Sequence, residues 1–465
     1  MIPCRHLPLL DKTLGTLRRR AELGLVILAG IITSGAFTLA SLGENSSIPA
    51  RIVLFLVFVM SMLVVAHLAV RWLAHGADAV MLPVAALLHG IGYVMIARLS
   101  DRLAGLQATW SFVAVVAFIL TLILVERISD LVRYQYTALA LGVGLLLLPL
   151  VPGVGFTSGG ARIWVSIGPI NFQPGEFAKI LLAIFFAAYL ADRRELIRDG
   201  HVRIGPLTLP ELRHLMPILV AWGASVIVMV GQRDLGSSLM FFTLFVVLLW
   251  VATEKTSYLL VGVVLFGAGA IAAYNMFDHV QTRVSIWLDP WSQYTERGYQ
   301  PIQALFAMAN GGVTGSGLGL GNPSSIPAAH NDFIFAAIAE ELGLIGATAV
   351  LAGFVLIVGA GLRTAIRAHR DFEKLLAVGL TTILAVQTFI IVGGVVRVVP
   401  LTGVTLPFMS YGGSSLVANY VLLALLLRIS DSTARNLHEV PNTPSLAERW
   451  AQRQARARVA SKVMS

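Results

Sequence analysis

The sequence predicts an all-α polytopic membrane protein, and three observations carry the prediction. Hydrophobic residues make up 57% of the chain and charged residues 13%, where a soluble protein carries about 25% charge. Mean hydropathy is +0.80, which is more apolar surface than a single core can hide from water. The apolar residues also fall into twelve runs, all but one long enough for a hydrocarbon core of ~30 Å.

The runs follow one another with short polar breaks. Two, at 21–41 and 50–70, come after a basic lead, and the next three lie at 79–97, 108–125 and 135–151. A run at 176–191 is short and opens on polar residues. Then come 214–231, 236–252 and 257–274, and finally 333–361, 376–396 and 407–428, giving about 12 transmembrane helices. The breaks differ in charge. Segments 1–20, 71–78, 126–134, 192–213, 253–256, 362–375 and 428–465 hold 25 of the 34 Lys and Arg residues. Short cytoplasmic loops retain positive charge, so both termini are expected in the cytoplasm. The domain plan is a cytoplasmic N-terminus at 1–20, two helices at 21–78, a core at 79–430 and a basic cytoplasmic tail at 431–465. That tail is suited to anionic membrane lipid. Long external loops are expected at 152–175 and 275–332; the second carries tryptophans, prolines and "IQALFAMA", and is expected to fold at the interface.

Several classes drop out. The net charge of +9 sits at helix ends and in two tails, as topology signals do, so nucleic acid is not an expected partner. The lone Cys4 allows no intramolecular disulfide, no cleavable signal is expected, and no internal repeat marks two transporter halves.

Polar residues gather in four constellations, all assigned to the outer face. In "GGARIWVSIGPINFQPGEFAKILLAIFF", Pro174 is placed to start a helix, and Glu176 and Lys179 then share one face of its first turns. The pair either neutralises two charges at a surface or lines a cavity for an anionic ligand. In "GQRDLGSSL", Arg233 and Asp234 mark the joint between two spans. Asp234 reads as an N-cap for a helix from Leu235, or as a general base at a partly desolvated site. The third constellation runs from "WLDPW" to "PAAHNDFIFAAIAEELG", where Arg283, Arg297, His330, Asn331 and Asp332 offer groups for phosphate or a hard cation. Glu340 and Glu341 fall inside a span, where a carboxylate demands a partner or a function. The glycines from Gly311 to Gly321 resemble no phosphate loop. The fourth is "VVRVVPLTGVTLPFMSYGGSS", with Arg397, a re-entrant-looking "PLTGVTLP" and Ser410 as a further substrate-binding candidate.

At these four places the chain resembles the SEDS family (shape, elongation, division and sporulation), the RodA and FtsW type of bacterial membrane protein. The motifs "QPGEFAK", "QRDLGSS", "GYQPIQALFAMANGG", "HNDFIFAAIAEELG" and "PLTGVTLPFMSYGGSSL" carry the resemblance, in the family's order, over roughly residues 80–430. It implies a peptidoglycan glycosyltransferase with a ten-helix core. Such proteins polymerise lipid II, the undecaprenyl-pyrophosphate disaccharide-pentapeptide, on the outer face of the bacterial cytoplasmic membrane. Their partner is a class B penicillin-binding protein that cross-links the glycan. The family's essential aspartate falls on Asp234, and its glutamate and lysine fall on Glu176 and Lys179. Two spans, 21–41 and 50–70, are additional; Arg233 stands where proline is common and Ala328 where glutamate is common. The added spans and "VVPLTG" lean to the elongation branch.

Lipid II is α-linked to pyrophosphate and the glycan is β-1,4-linked, so one in-line displacement inverts the carbon. The expectation is Asp234 as base, with Lys179, Arg233, Arg283, Arg297 and Arg397 stabilising the pyrophosphate and Glu176 holding Lys179. A divalent cation, Mg or Mn, is expected on the phosphates, although no ligand set can be read from spacing. The alternatives are a lipid II flippase and a non-catalytic scaffold for the transpeptidase.

Overall fold

A computed structural model describes residues 7–45, 52–158, 160–168, 170–199, 201–204, 207–210 and 212–439. Parts of the expected N-terminal segment (1–6) and tail (440–465) lie outside these residues. In chain order the helices are α1 (Leu7–Asn45), α2 (Ile52–Leu73), α3 (Met81–Leu99), α4 (Asp101–Leu124), α5 (Gln135–Leu147), α6 (Gly175–Asp192), α7 (Arg194–Asp199) and α8 (Leu212–Gly231). They continue as α9 (Leu235–Thr253), α10 (Ser257–Met276), α11 (Asp278–Leu288), α12 (Tyr299–Gly311), α13 (Ile334–Arg367), α14 (Asp371–Val395) and α15 (Gly413–Glu439). Each of the twelve expected runs lies on one of them. Among the described residues nine segments are long and apolar enough to cross a membrane, and Val57–Leu73 and Leu219–Gly231 are shorter apolar helices. The remaining run is α6, which carries Glu176 and Lys179 in its first turns. The protein is a multi-pass membrane protein.

Two small sheets interrupt the helical pattern. Strands β1 (Gly155–Ser158), β2 (Ala161–Ile167) and β3 (Ile170–Phe172) form an antiparallel sheet before α6, with Phe156 opposite Trp164 and Ser166 opposite Asn171. Strands β4 (His201–Ile204) and β5 (Leu207–Pro210) form a hairpin before α8. Both lie in segments too short and turn-rich for a span, where alternating residues such as "RIWVSI" favour pairing.

Helices α6, α14 and α15 form the buried centre. α6 packs on α5 and α14, α15 on α4, and α13 on α14. Small residues of α6 (Ala178, Ala183, Ala187, Ala188) are fully buried, allowing the close backbone approach that drives helix association in lipid. α10 lies at the periphery, with most of its surface exposed. α1 packs along α3 and α2 along both α1 and α4, and α1 and α2 are joined by a buried contact between Glu22 Oε1 and His67 Nδ1 at 3.0 Å.

α13 is broken near its start. Gly343 has φ 66° and ψ −168°, a conformation open to glycine. The backbone groups freed there pair with the glycine-rich loop after α12. Ser316 N donates to Glu340 O at 2.9 Å, Gly317 N to Glu341 O at 3.0 Å and Leu344 N to Gly312 O at 3.0 Å. The two glutamates serve the same loop. Glu340 Oε1 accepts from Asn322 N at 3.1 Å and Glu341 Oε2 from Gly319 N at 3.0 Å. Arg98 sits 3.5 Å from Glu341 and 3.0 Å from Glu44 at the end of α1. The glycines are therefore a docking strip for a broken helix; each carboxylate sets one oxygen on that strip, Arg98 stands by the other oxygen of Glu341, and Glu340 Oε2 is buried without a hydrogen-bond partner among the described residues.

Candidate active site

The site gathers at one end of the bundle, where α6, α9, α13 and α15 begin and α14 ends. Its base is the start of α6. Pro174 is the N-cap residue and Gly175 the first helical residue, so the proline starts the helix as expected. Glu176 and Lys179, three residues apart, are 5% and 1% exposed. Lys179 Nζ donates to Glu176 Oε2 at 2.6 Å and to Gln387 Oε1 of α14 at 2.7 Å. Gln387 Nε2 in turn donates to Thr405 O at 2.9 Å. A buried ammonium is tolerable only when paired and hydrogen-bonded, and here the partners tie α6 to α14 and to the 401–412 segment. Two of the three ammonium donors of Lys179 are thus held by Glu176 and Gln387 beneath the surface. Gln387 was missed, and a lone amide in the apolar stretch "LAVQTFII" was the available signal.

Asp234 sits at the α8–α9 joint, partly buried. Its Oδ1 accepts from Ser237 N at 3.0 Å, so it does cap α9. The joint is held by its neighbours. Gln232, buried, donates through Nε2 to Leu146 O, and its own carbonyl accepts from Arg162 N of β2 at 3.0 Å. Arg233 adopts φ 60° with its side chain exposed, the bend that turns Asp234 toward the helix end. Burial pushes the Asp234 carboxyl above the usual carboxylate range, and the charge of Glu176 adds to this; bonds from Ser237 and the Arg283 guanidinium pull it back in part. A carboxylate raised in this way is a stronger base.

Arg283 of α11 interacts electrostatically with both Asp234 and Asp332. Burial raises Asp332 to about 6, partly offset by Arg283, and burial lowers Arg283, partly offset by the two aspartates. Arg283 Nη1 also donates to Leu401 O at 3.0 Å. Gly403 follows at φ +77°, and a Cβ there would stand 3.8 Å from both Arg283 Nη2 and Asp332 Oδ2. The "PLTGVTLP" segment thus passes between the start of α9, where Gly236 touches Thr402 and Val404, and the Arg283–Asp332 pair.

Arg283, Asp332, Arg297, Arg397 and Trp287 line one cavity of about 200 Å³. Three cations from distant parts of the chain therefore converge as expected, but not equally free. Arg397 Nη2 donates to the carbonyls of Trp287 at 2.7 Å and Leu288 at 3.1 Å, and Trp287 Nε1 donates back to Arg397 O at 2.9 Å. Arg297 makes one bond, from Nη1 to Thr282 Oγ1 at 3.1 Å. Ser410 is a pin: its buried hydroxyl donates to Asn331 O at 2.7 Å and accepts from Leu406 N at 2.9 Å. His330 packs edge-on against Tyr411, centroids 5.7 Å apart, and burial lowers its pKa. Among the described residues no three His, Cys, Asp or Glu side chains are grouped to hold a metal.

Comparison with known proteins matches the chain to a family. Residues 78–435 match the cell cycle protein family of FtsW, RodA and SpoVE, so α1 and α2 precede the matched region. The chain is 44% identical over 439 residues to the peptidoglycan glycosyltransferase RodA of Mycobacterium tuberculosis, covering 92% of this chain and 94% of that one. Among solved structures, a chain of a peptidoglycan synthase complex that coordinates polymerization and crosslinking superposes with a TM-score of 0.65 at 25% identity, covering 77% of this chain and 98% of that one. The crystal structure of the Thermus thermophilus rod shape determining protein RodA gives 0.53 at 26% identity, covering 77% and 98%.

Proposed function

This chain belongs to the SEDS family, and we propose that it polymerises lipid II with Asp234 as the base. It is a peptidoglycan glycosyltransferase. In the proposed step the acceptor GlcNAc 4-hydroxyl oxygen attacks the donor anomeric carbon and its proton passes to Asp234. The bond from that carbon to the phosphate oxygen breaks, the electron pair leaves with undecaprenyl pyrophosphate, and the carbon inverts from α to β. Pyrophosphate is a good leaving group, so one carboxylate suffices where glycosidases use two. Arg283 and Arg297 would meet its charge from the cavity wall, in a partly desolvated site where fixed cations act strongly. Arg397 shapes that wall, and Glu176 and Lys179 hold the floor.

The observation that carries the reading is the joint itself: a partly buried, upshifted carboxylate beside an arginine that also borders a cavity with further cations. The proposed setting is the outer face of the bacterial cytoplasmic membrane, with both termini inside and a class B penicillin-binding protein cross-linking the product. The test is purified protein with that partner in vesicles, supplied with labelled lipid II. Glycan on a gel is the expected result, and translocation of the lipid without glycan would replace the proposal with a flippase.

The pH profile follows from the same groups. Asp234 must be ionised to accept a proton, and its pKa lies above the ordinary 3.8. The polymerisation rate is therefore expected to fall as pH drops through a range higher than a free carboxylate's. Asp332 titrates at about 6, and Asp332→Asn separates the two. The acid limb should persist in that variant, moved to lower pH because Arg283, no longer shared with Asp332, acts on Asp234 alone. A rate that is flat from about pH 4 to 8 contradicts the assignment.

A further inference from the structure

The end of the bundle away from Asp234 holds a second polar cavity, of about 160 Å³. It lies between the turn after α4, the start of α14 and the end of α15. Its floor is a built structure. Arg428, 4% exposed, donates to Val125 O at 2.7 Å and also to Leu122 O and Leu73 O, closing the carbonyl ends of α2 and α4. Asp431 accepts from Gly76 N at 2.7 Å and from Arg435 at 2.6 Å. Those charges serve the fold.

Glu373 on α14 does not fit that account. It is 1% exposed; its Oε1 accepts from Ser432 Oγ at 3.0 Å, while its Oε2 is buried without a hydrogen-bond partner among the described residues. At the rim stand Arg127 and Arg370, both exposed. A buried carboxylate oxygen without a donor is costly, and a polar cavity several times the ~30 Å³ of one water can accept a larger donor. An occupant that serves both ends brings a donor to Glu373, most strongly a cationic N–H, and an anion to the arginines. A zwitterionic lipid carries both groups in one small head, and the cavity lies at the end of the spans, at the depth of lipid headgroups.

The geometry points to a binding site for a phosphatidylethanolamine headgroup, with its ammonium on Glu373 Oε2 and its phosphate between Arg127 and Arg370. An anionic lipid such as phosphatidylglycerol would meet the arginines and offer the carboxylate only a neutral hydroxyl, a weaker donor than an ammonium. Phosphatidylcholine would bring a cation with no N–H.

Delipidated full-length protein, titrated with lipids of matched acyl chains and read by native mass spectrometry, tests this. Phosphatidylethanolamine is expected to bind about tenfold tighter than phosphatidylglycerol or phosphatidylcholine, the worth of one charge-assisted hydrogen bond. Glu373→Gln should erase that preference while phosphatidylglycerol still binds, and the Arg127→Ala/Arg370→Ala double variant should weaken retention of all three. Equal binding of the three lipids by the unaltered protein, which needs no variant, overturns the proposal, as does a preference that survives Glu373→Gln. Displacement of the lipid by an equal concentration of soluble phosphoethanolamine would make a free phosphate ester the ligand and overturn the lipid assignment.

Discussion

Asp234→Asn is expected to cut polymerisation of labelled lipid II by roughly 10²–10⁴-fold, the range for losing a general base, while the protein remains folded. The choice of asparagine matters. Asp234 caps α9 through Oδ1, which accepts from Ser237 N, and asparagine caps a helix about as well as aspartate. The substitution therefore keeps the helix start, the joint and the docking of Gln232 on Leu146, and removes only the ability to hold a proton. Asp234→Ala would lose the cap as well, at a cost of about 1 kcal/mol, and would confuse the two roles. Asp234→Glu keeps a carboxylate but moves it by one methylene, and a misplaced reacting group costs about 10²-fold. The measurement is glycan chain formation at saturating lipid II, with thermal unfolding of each variant as the check on folding. Near wild-type glycan from a folded Asp234→Asn protein would mean that the acceptor proton goes elsewhere, and the role of Asp234 would shrink to its cap.

What could be read in advance followed local chemistry. Asp234 before "LGSSL" is an N-cap pattern, Pro174 before "GEFAK" is a helix start, and three-residue spacing joins Glu176 to Lys179; all need only a few neighbouring residues. The helices were equally legible, because in lipid each span must satisfy its backbone within itself. What could not be read depends on contacts between distant segments. Ser410 and Arg397 carry the right groups for a substrate, yet the Ser410 hydroxyl goes to the carbonyl of Asn331 and Arg397 Nη2 to those of Trp287 and Leu288. The glycine-rich strip makes sense only beside the break at Gly343. Gln387, 208 residues from Lys179, completes the buried network, and no sequence spacing announces such a pair.

Lys179→Met is expected to destabilise the protein by roughly 3–5 kcal/mol, because it strands the Glu176 carboxylate in the interior. The lost ammonium leaves Glu176 Oε2 and Gln387 Oε1 without their 2.6 and 2.7 Å donor. The effect should appear as a lower unfolding temperature and poor recovery from the membrane. Glu176→Gln/Lys179→Met, which removes both charges, should regain most of the loss, since neutral groups of similar volume can replace a buried pair at little cost. That double variant also separates two roles for the lysine. If Lys179 only props α6 against α14, the repaired protein polymerises lipid II within about tenfold of wild type. If its ammonium meets the departing pyrophosphate, the protein is stable and lacks activity, as expected when a transition-state contact is lost. The buried geometry favours the first outcome. The same variant moves the acid limb of the rate: Glu176 helps to raise the Asp234 carboxyl, so without its charge Asp234 ionises more easily and the limb shifts to lower pH.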